Sequence, residues 1–282
     1  MVAWLRFAIT AAIFVLVIVL LVPLQFFFLK TQCRLRATLP IIFHRIVRRL
    51  LGFRVHVHGE ITKERPLLLA ANHSSWTDIV ILGSLDEVAF IAKAEVANWP
   101  LFGILAKLQR TVFVEREKRG KTHHQASEIA TRLALGDAMV LFAEGTTSDG
   151  NRVLPFKTSL FGAAQVAIRD AGARSVVVQP VAIAYTRVQG MPMGRFHRPI
   201  VAWPGDVPLG PSLIGLLKHG AIDVDVWFGE PVVIDANSNR KMLARTMEDR
   251  VRAMVRASLM KRDFGAHDAK SESAILKDSK NL

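Results

Sequence analysis

The chain has 282 residues, enough for one large domain with a sizeable core and an appendage. Its 37 Lys and Arg against 24 Asp and Glu give a formal charge of +13, while 51% of its residues are hydrophobic and its mean hydropathy is +0.28. That balance excludes an acidic disordered chain, and the single Cys33 excludes an internal disulfide framework.

Residues 7–24 are apolar except for Thr10, long enough for a spanning helix, and Phe26, Phe27 and Phe28 extend the run beyond Pro23 and Gln25. No small-x-small cleavage site follows, and Lys30-Thr31-Gln32 before Cys33 does not suit a lipoprotein signal, so an uncleaved anchor is expected. Arg6 precedes the run, and Lys30, Arg34 and Arg36 follow it. This bias puts the rest of the chain on the cytoplasmic side of the inner membrane.

Pro40 reads as the first turn of a helix in which Leu39, Ile42, Phe43, Ile46 and Leu50 recur at helical spacing. His44, Arg45, Arg48 and Arg49 fall on its other side, as in a basic helix lying in the interface of an anionic membrane. The basic excess beside an apolar segment points to anionic lipid rather than nucleic acid. Residues 1–52 are therefore expected to form the anchor, 53–262 a catalytic domain and 263–282 a disordered tail.

From Phe53 the pattern is α/β. Arg54 to His58 alternates as a half-buried strand, whose His56 and His58 share a face without a nearby third metal ligand. Short apolar runs follow at 67–71, 88–92, 110–114, 138–142, 175–185 and 221–228, with helical patterns over 121–135, 159–169 and 237–261. In the last of these, Met242, Met247, Val251, Met254 and Val255 read as the buried stripe. Residues 188–220, rich in Pro and Gly, read as loop. Strands alternating with helices predict an α/β fold, a mainly parallel or mixed sheet flanked by helices. There is no internal repeat, P-loop, Gly-x-Ser-x-Gly elbow or metal-ligand cluster.

Three expected strand ends carry polar chemistry, and a parallel sheet gathers such ends in one crevice. The first is Asn72-His73-Ser74-Ser75-Trp76-Thr77-Asp78. There His73 can accept a proton and Asp78 can hold its ring, although Ser75-x-x-Asp78 is also a capping box for a helix beginning near Trp76. The second is Glu115-Arg116, whose cation suits an anionic headgroup. The third is Glu144-Gly145-Thr146, where Gly145 lets backbone approach a substrate and Thr146 or nearby amide groups can stabilise an oxyanion.

These blocks resemble the glycerolipid acyltransferases, the PlsC-like lysophospholipid acyltransferases. Asn72 to Asp78 matches their Asn-His-x-Ser-x-x-Asp block, with Ser75 in the serine position. Phe113 to Arg116 matches Phe-Ile-Asp-Arg, Phe142 to Ser148 matches Phe-Pro-Glu-Gly-Thr-Arg-Ser, and Val178 to Ile183 matches the block centred on Pro180. The match runs over roughly residues 54–234. It implies that an acyl group passes from an acyl carrier protein or coenzyme A thioester to a lysolipid hydroxyl, with His73 as base and Asp78 orienting it. Arg116 and the Glu144-Gly145-Thr146 turn would bind the acceptor. No acyl-enzyme, metal or permanently bound cofactor is implied.

The third block departs from the pattern: Thr147 stands where the family has an arginine for the acceptor phosphate, and Ala143 replaces a proline. Residues 144–157 look more like the lyso-ornithine lipid acyltransferase branch, whose acceptor has no phosphate. Arg116 would then face the ornithine carboxylate. The alternative acceptor is lysophosphatidate, with Arg116, Lys157 or Arg152 supplying charge. A non-catalytic membrane lipid binder is the reading from a different class.

Overall fold

The computed structural model describes residues 2–114, 122–204 and 209–260. Helix α1 (Val2–Lys30) runs through Pro23 and is long and apolar enough to cross a membrane. Its outer surface presents Val15, Leu16, Val19, Leu20, Phe26 and Phe27, side chains that favour hydrocarbon over water.

Helix α2 (Leu35–Leu50) begins earlier than the sequence suggests, so Pro40 lies inside it rather than in its first turn. Proline has no N–H to give the carbonyl four residues back, which is Arg36 O. Gln25 Nε2 donates to that oxygen at 2.9 Å and to Leu108 O at 3.0 Å, which explains a polar residue, 5% exposed, in the apolar run. His44 is also not on a basic outer face. It is buried, 2.6 Å from Gln109 Oε1, and burial pulls it down to about 4, so it is neutral at physiological pH. Arg45 and Arg48 reach Ser84 instead, tying α2 to the helix described next.

The remaining elements follow in order: β1 (Phe53–His58), β2 (Leu67–Ala71), α3 (Thr77–Gly83), β3 (Ala89–Lys93), α4 (Phe102–Leu108), β4 (Val112–Val114), α5 (Thr122–Ala134) and β5 (Ala138–Phe142). Then come α6 (Gly162–Arg169), β6 (Val176–Val188), β7 (Met191–Pro192), α7 (Leu209–His219), β8 (Ile222–Phe228), β9 (Val232–Ile234) and α8 (Arg240–Met260). The sheet is mixed, in the order β1-β8-β6-β2-β5-β3-β4, with β7 and β9 also paired to β6. Strands β6, β2, β5, β3 and β4 are parallel, whereas β6 meets β8 and β9 antiparallel.

Both faces of the sheet are covered, which is why its central strands are apolar throughout rather than alternating. Leu67, Leu69, Ala71, Val140 and Phe142 pack toward α2, α3 and α7; Leu68, Ala70, Met139 and Leu141 pack toward α5, α6 and α8. Burying each leucine of β2 contributes about 1.5–3 kcal/mol. The α8 stripe is Leu243, Ala244, Met247, Val251, Met254 and Val255; Met242 is 69% exposed, because the neighbouring Leu243 takes the inward position.

The stretch read as a loop contains α7. Its Gly210 and Pro211 fall at the helix start, where proline is tolerated, and Leu216 and Leu217 are buried. Pro180 sits in the middle of the sheet, where a missing N–H is normally costly. It lies where the antiparallel partner of β6 changes from β9, which ends opposite Val178, to β8, which begins opposite Val181. The Gln179 side chain fills that gap, donating to Glu60 O and Gly229 O and accepting from Thr62 N.

Just past β2, the Asn72 side chain copies a strand pairing: Nδ2 donates to Ile183 O at 2.9 Å and Oδ1 accepts from Ile183 N at 2.8 Å. Truncation would leave two buried backbone groups unpaired. Asn72→Ala is therefore expected to lower stability by about 2–6 kcal/mol, at about 1–3 kcal/mol for each stranded group. Denaturant unfolding in detergent measures this, and a loss below about 0.5 kcal/mol would contradict the pairing's importance.

Candidate active site

The apolar run of β2 ends at Ala71, so the chain leaves the sheet at Asn72 and His73 stands at its carboxyl edge. Its ring lies flat on Phe142, with centroids 3.8 Å apart, at the end of the neighbouring β5. His73 Nδ1 is 2.8 Å from Asp78 Oδ2. A carboxylate only accepts, so the proton sits on Nδ1 and Nε2 keeps its lone pair.

Asp78 is fully buried, and every oxygen is occupied. Oδ2 also accepts from the backbone N–H of Ser74 at 2.8 Å and Ser75 at 2.9 Å; Oδ1 accepts from Tyr185 Oη at 2.6 Å. The bond from Ser75 N is one half of the expected capping box. The other half is not made: Asp78 N donates to Ser75 O, Ser75 Oγ accepts from Thr77 N at 3.3 Å instead, and Trp76 caps α3 without a side-chain bond. The helix start and the carboxylate that holds His73 are thus the same structure. Ser75 is wholly buried and supports this turn rather than meeting a ligand.

Glu144 is buried too. Its Oε1 accepts from His73 N at 2.9 Å and its Oε2 from Leu154 N at 3.1 Å, so it clamps the His73 loop to the segment beyond the turn. Burial pushes its carboxyl up to about 8, outweighing the two backbone donors that pull it down. The sequence expectation had Glu144 binding the acceptor; its oxygens are turned to backbone instead. Gly145 has φ +73°, and Lys157 lies across it: a Cβ there would sit 2.8 Å from Lys157 Cδ.

A chamber of roughly 880 Å³ opens beside His73. Gly145, Thr146 and Thr147 are among its lining residues, and so are Trp99 and Trp203, which meet edge to face 5.9 Å apart. Its lining also includes Phe14 and Val22 of α1, with Leu39, Phe43 and Val47 of α2. It is therefore a mainly apolar space to which the two N-terminal helices contribute.

Of the three expected strand ends, two are neighbours. β2 and β5 pair directly, while β4 lies at the sheet edge with β3 between it and β5. Arg116 lies outside the described residues. His56 and His58 do not form a metal pair: they face Asp223 and Asp225 of β8 at 2.8 and 3.8 Å. No group of three or more metal-ligating side chains occurs among the described residues.

Sequence reasoning missed Tyr185 and Phe142 as part of the His73 setting. Tyr185 is the chain's one tyrosine, on the same face of β6 as Val181 and Ile183. That parity was the available signal, but the register that brings it under Asp78 was not readable.

The Acyltransferase family model matches residues 54–184. The chain is 60% identical to the lyso-ornithine lipid O-acyltransferase of Brucella abortus (strain 2308), over 94% of this chain and 99% of that one. It is 51% identical to the lyso-ornithine lipid O-acyltransferase of Rhizobium meliloti (strain 1021), over 97% and 93%. The fold is that of the 1-acyl-sn-glycerophosphate acyltransferase PlsC from Thermotoga maritima, with a TM-score of 0.64 at 23% identity, over 92% of this chain and 98% of that one.

Glu144 also sets a pH dependence of stability. An unfolded glutamic acid ionises from 4.5, whereas the folded chain holds this proton up to about 8. Between these values the unfolded state has lost a proton that the native state keeps, so this contribution is complete below 4.5 and is lost as pH rises toward about 8. Glu144→Gln cannot titrate and turns an amide N–H2 against one of two donors. Its melting temperature should lie below wild type at pH 5 and the two curves should converge toward pH 8; parallel curves would contradict the assignment.

Proposed function

We propose the following reaction for this chain, which belongs to the acyltransferase family and is an acyltransferase with a lysolipid acceptor and an acyl donor. A fatty acyl group leaves a thioester and joins the free hydroxyl of lyso-ornithine lipid, giving ornithine lipid. The observation that carries the reading is the 2.8 Å contact between His73 Nδ1 and Asp78, with the imidazole bordering an acyl-sized apolar chamber.

His73 Nε2 takes the hydroxyl proton as the oxygen attacks the thioester carbonyl. Asp78 keeps the ring in the required tautomer and stabilises the imidazolium. The tetrahedral intermediate collapses with cleavage of the C–S bond, and the imidazolium returns its proton to the departing thiolate. Thr146 and Thr147, which line the chamber with His73, supply polar groups to the developing oxyanion and the acceptor, with Gly145 letting backbone come close. The chemistry so written calls for no metal and no resident cofactor.

The acceptor assignment is supported by the two relatives' names and by Thr147, which withholds the cation that a phosphate would need. Arg116 is assigned the ornithine carboxylate from its place in the second block, and Lys157, lying against Gly145, adds positive charge beside the chamber. The donor is an acyl carrier protein or coenzyme A thioester, whose acidic carrier or phosphates suit the basic chain. The enzyme works at the inner membrane on anionic lipid, its catalytic domain facing the cytoplasm, as the positive charge following α1 favours.

His73→Ala should lower acyl transfer by about a thousandfold or more while the protein still fractionates with membranes. Near-normal turnover would overturn the base assignment. Offered both acceptors, wild type should acylate lyso-ornithine lipid; acylation of lysophosphatidate alone would overturn the acceptor assignment.

A further inference from the structure

We infer that Tyr185 is a positioning residue for the acyl transfer, acting on His73 through Asp78; this rests on the reading of His73 as the base. The Tyr185 hydroxyl is the donor to Asp78 Oδ1, at 2.6 Å, while the other three donors, His73 Nδ1 and the N–H groups of Ser74 and Ser75, all converge on Oδ2. The carboxylate is therefore held from two sides. Rotating it to follow a moving imidazole would break the tyrosine bond.

Tyr185 is itself fixed. Thr77 Oγ1 lies 2.6 Å from its oxygen and 3.0 Å from Ser75 Oγ, and the ring packs against Phe53 with centroids 6.1 Å apart. The phenol has one proton and gives it to Asp78, while the Thr77 hydroxyl packs against the phenol oxygen and bonds Ser75 Oγ. Burial first, then the Asp78 charge, holds the phenol well above its ordinary range, so it stays a donor throughout the working pH range. Glu144, from the turn after β5, also interacts electrostatically with Asp78, and at the other end of α3 the His44 ring abuts Gly83.

The consequence lies in proton affinity. The hydrogen bond from Tyr185 disperses the Asp78 charge, so the pair takes up a proton less readily. Without it, the imidazolium forms at higher pH and the base is disabled there. A residue that only filled space would not produce that shift.

The test is the pH dependence of kcat and KM for the full-length enzyme in detergent micelles, with acyl thioester and lyso-ornithine lipid. Tyr185→Phe should lower kcat about tenfold and move the acid limb of the profile up by about one pH unit, with acceptor KM within about twofold. Thr77→Val, which removes the hydroxyl that fixes the phenol and keeps the side-chain volume, should move the limb the same way by less. It carries the test if Tyr185→Phe does not fold. An acid limb that stays in place in the folded variants, whether or not activity falls, overturns the inference. His73→Ala assayed alongside separates the two claims: its inactivity with an unmoved limb in Tyr185→Phe sinks only the role of Tyr185, whereas its turnover sinks the base.

Discussion

A carboxylate with no exposed surface is tolerated only if its charge is met by donors, since stripping a carboxylate of water without compensation costs several kcal/mol. Asp78 is in that position, and much of the local structure follows from meeting it. The Ser74 and Ser75 amides must point inward, which forces the tight turn leading into α3. His73 must lie over Phe142, which places it at the ends of β2 and β5. Tyr185 must come from beyond the part of β6 that pairs with β2, and the Asn72 link to Ile183 fixes that strand's position two residues earlier. The charge that faces His73 is thus the charge around which the turn is built.

A second constraint couples the site to the N-terminal helices. Residues of α1 and α2 line the chamber that His73 borders. The polar groups of these helices in that lining are there for backbone and packing reasons. Gln25 satisfies the carbonyl that Pro40 leaves free, and His44, kept neutral by burial, joins α2 to Gln109, which in turn donates to Val88 O.

The sequence carried the central sheet well, because strands buried on both faces announce themselves as short unbroken apolar runs. It also carried the His73 and Asp78 pair, since five residues of separation fit within one turn. What it could not carry depended on long-range pairing. The α7 helix hid behind Gly210 and Pro211, which read as loop until their place at a helix start is known. Pro40 looked like a helix start because nothing local reveals that Gln25, far back in the apolar run, caps the freed carbonyl. Glu144 looked like a ligand because its two backbone partners, His73 and Leu154, are brought to it only by the fold. Tyr185 offered no motif, only a face shared with Val181 and Ile183.

The central claim is that the Asp78 charge, and not only its shape, makes His73 a base. Asp78→Asn tests it most directly. The amide can keep its oxygen on the Ser74 and Ser75 N–H groups and turn its N–H2 toward Tyr185, so the turn should survive. The amide oxygen still accepts from His73 Nδ1, so the tautomer is kept and the account predicts a fall in kcat of about a hundredfold or more from the lost charge alone, with acceptor KM nearly unchanged. A folded Asp78→Asn enzyme with kcat within about tenfold of wild type would contradict it.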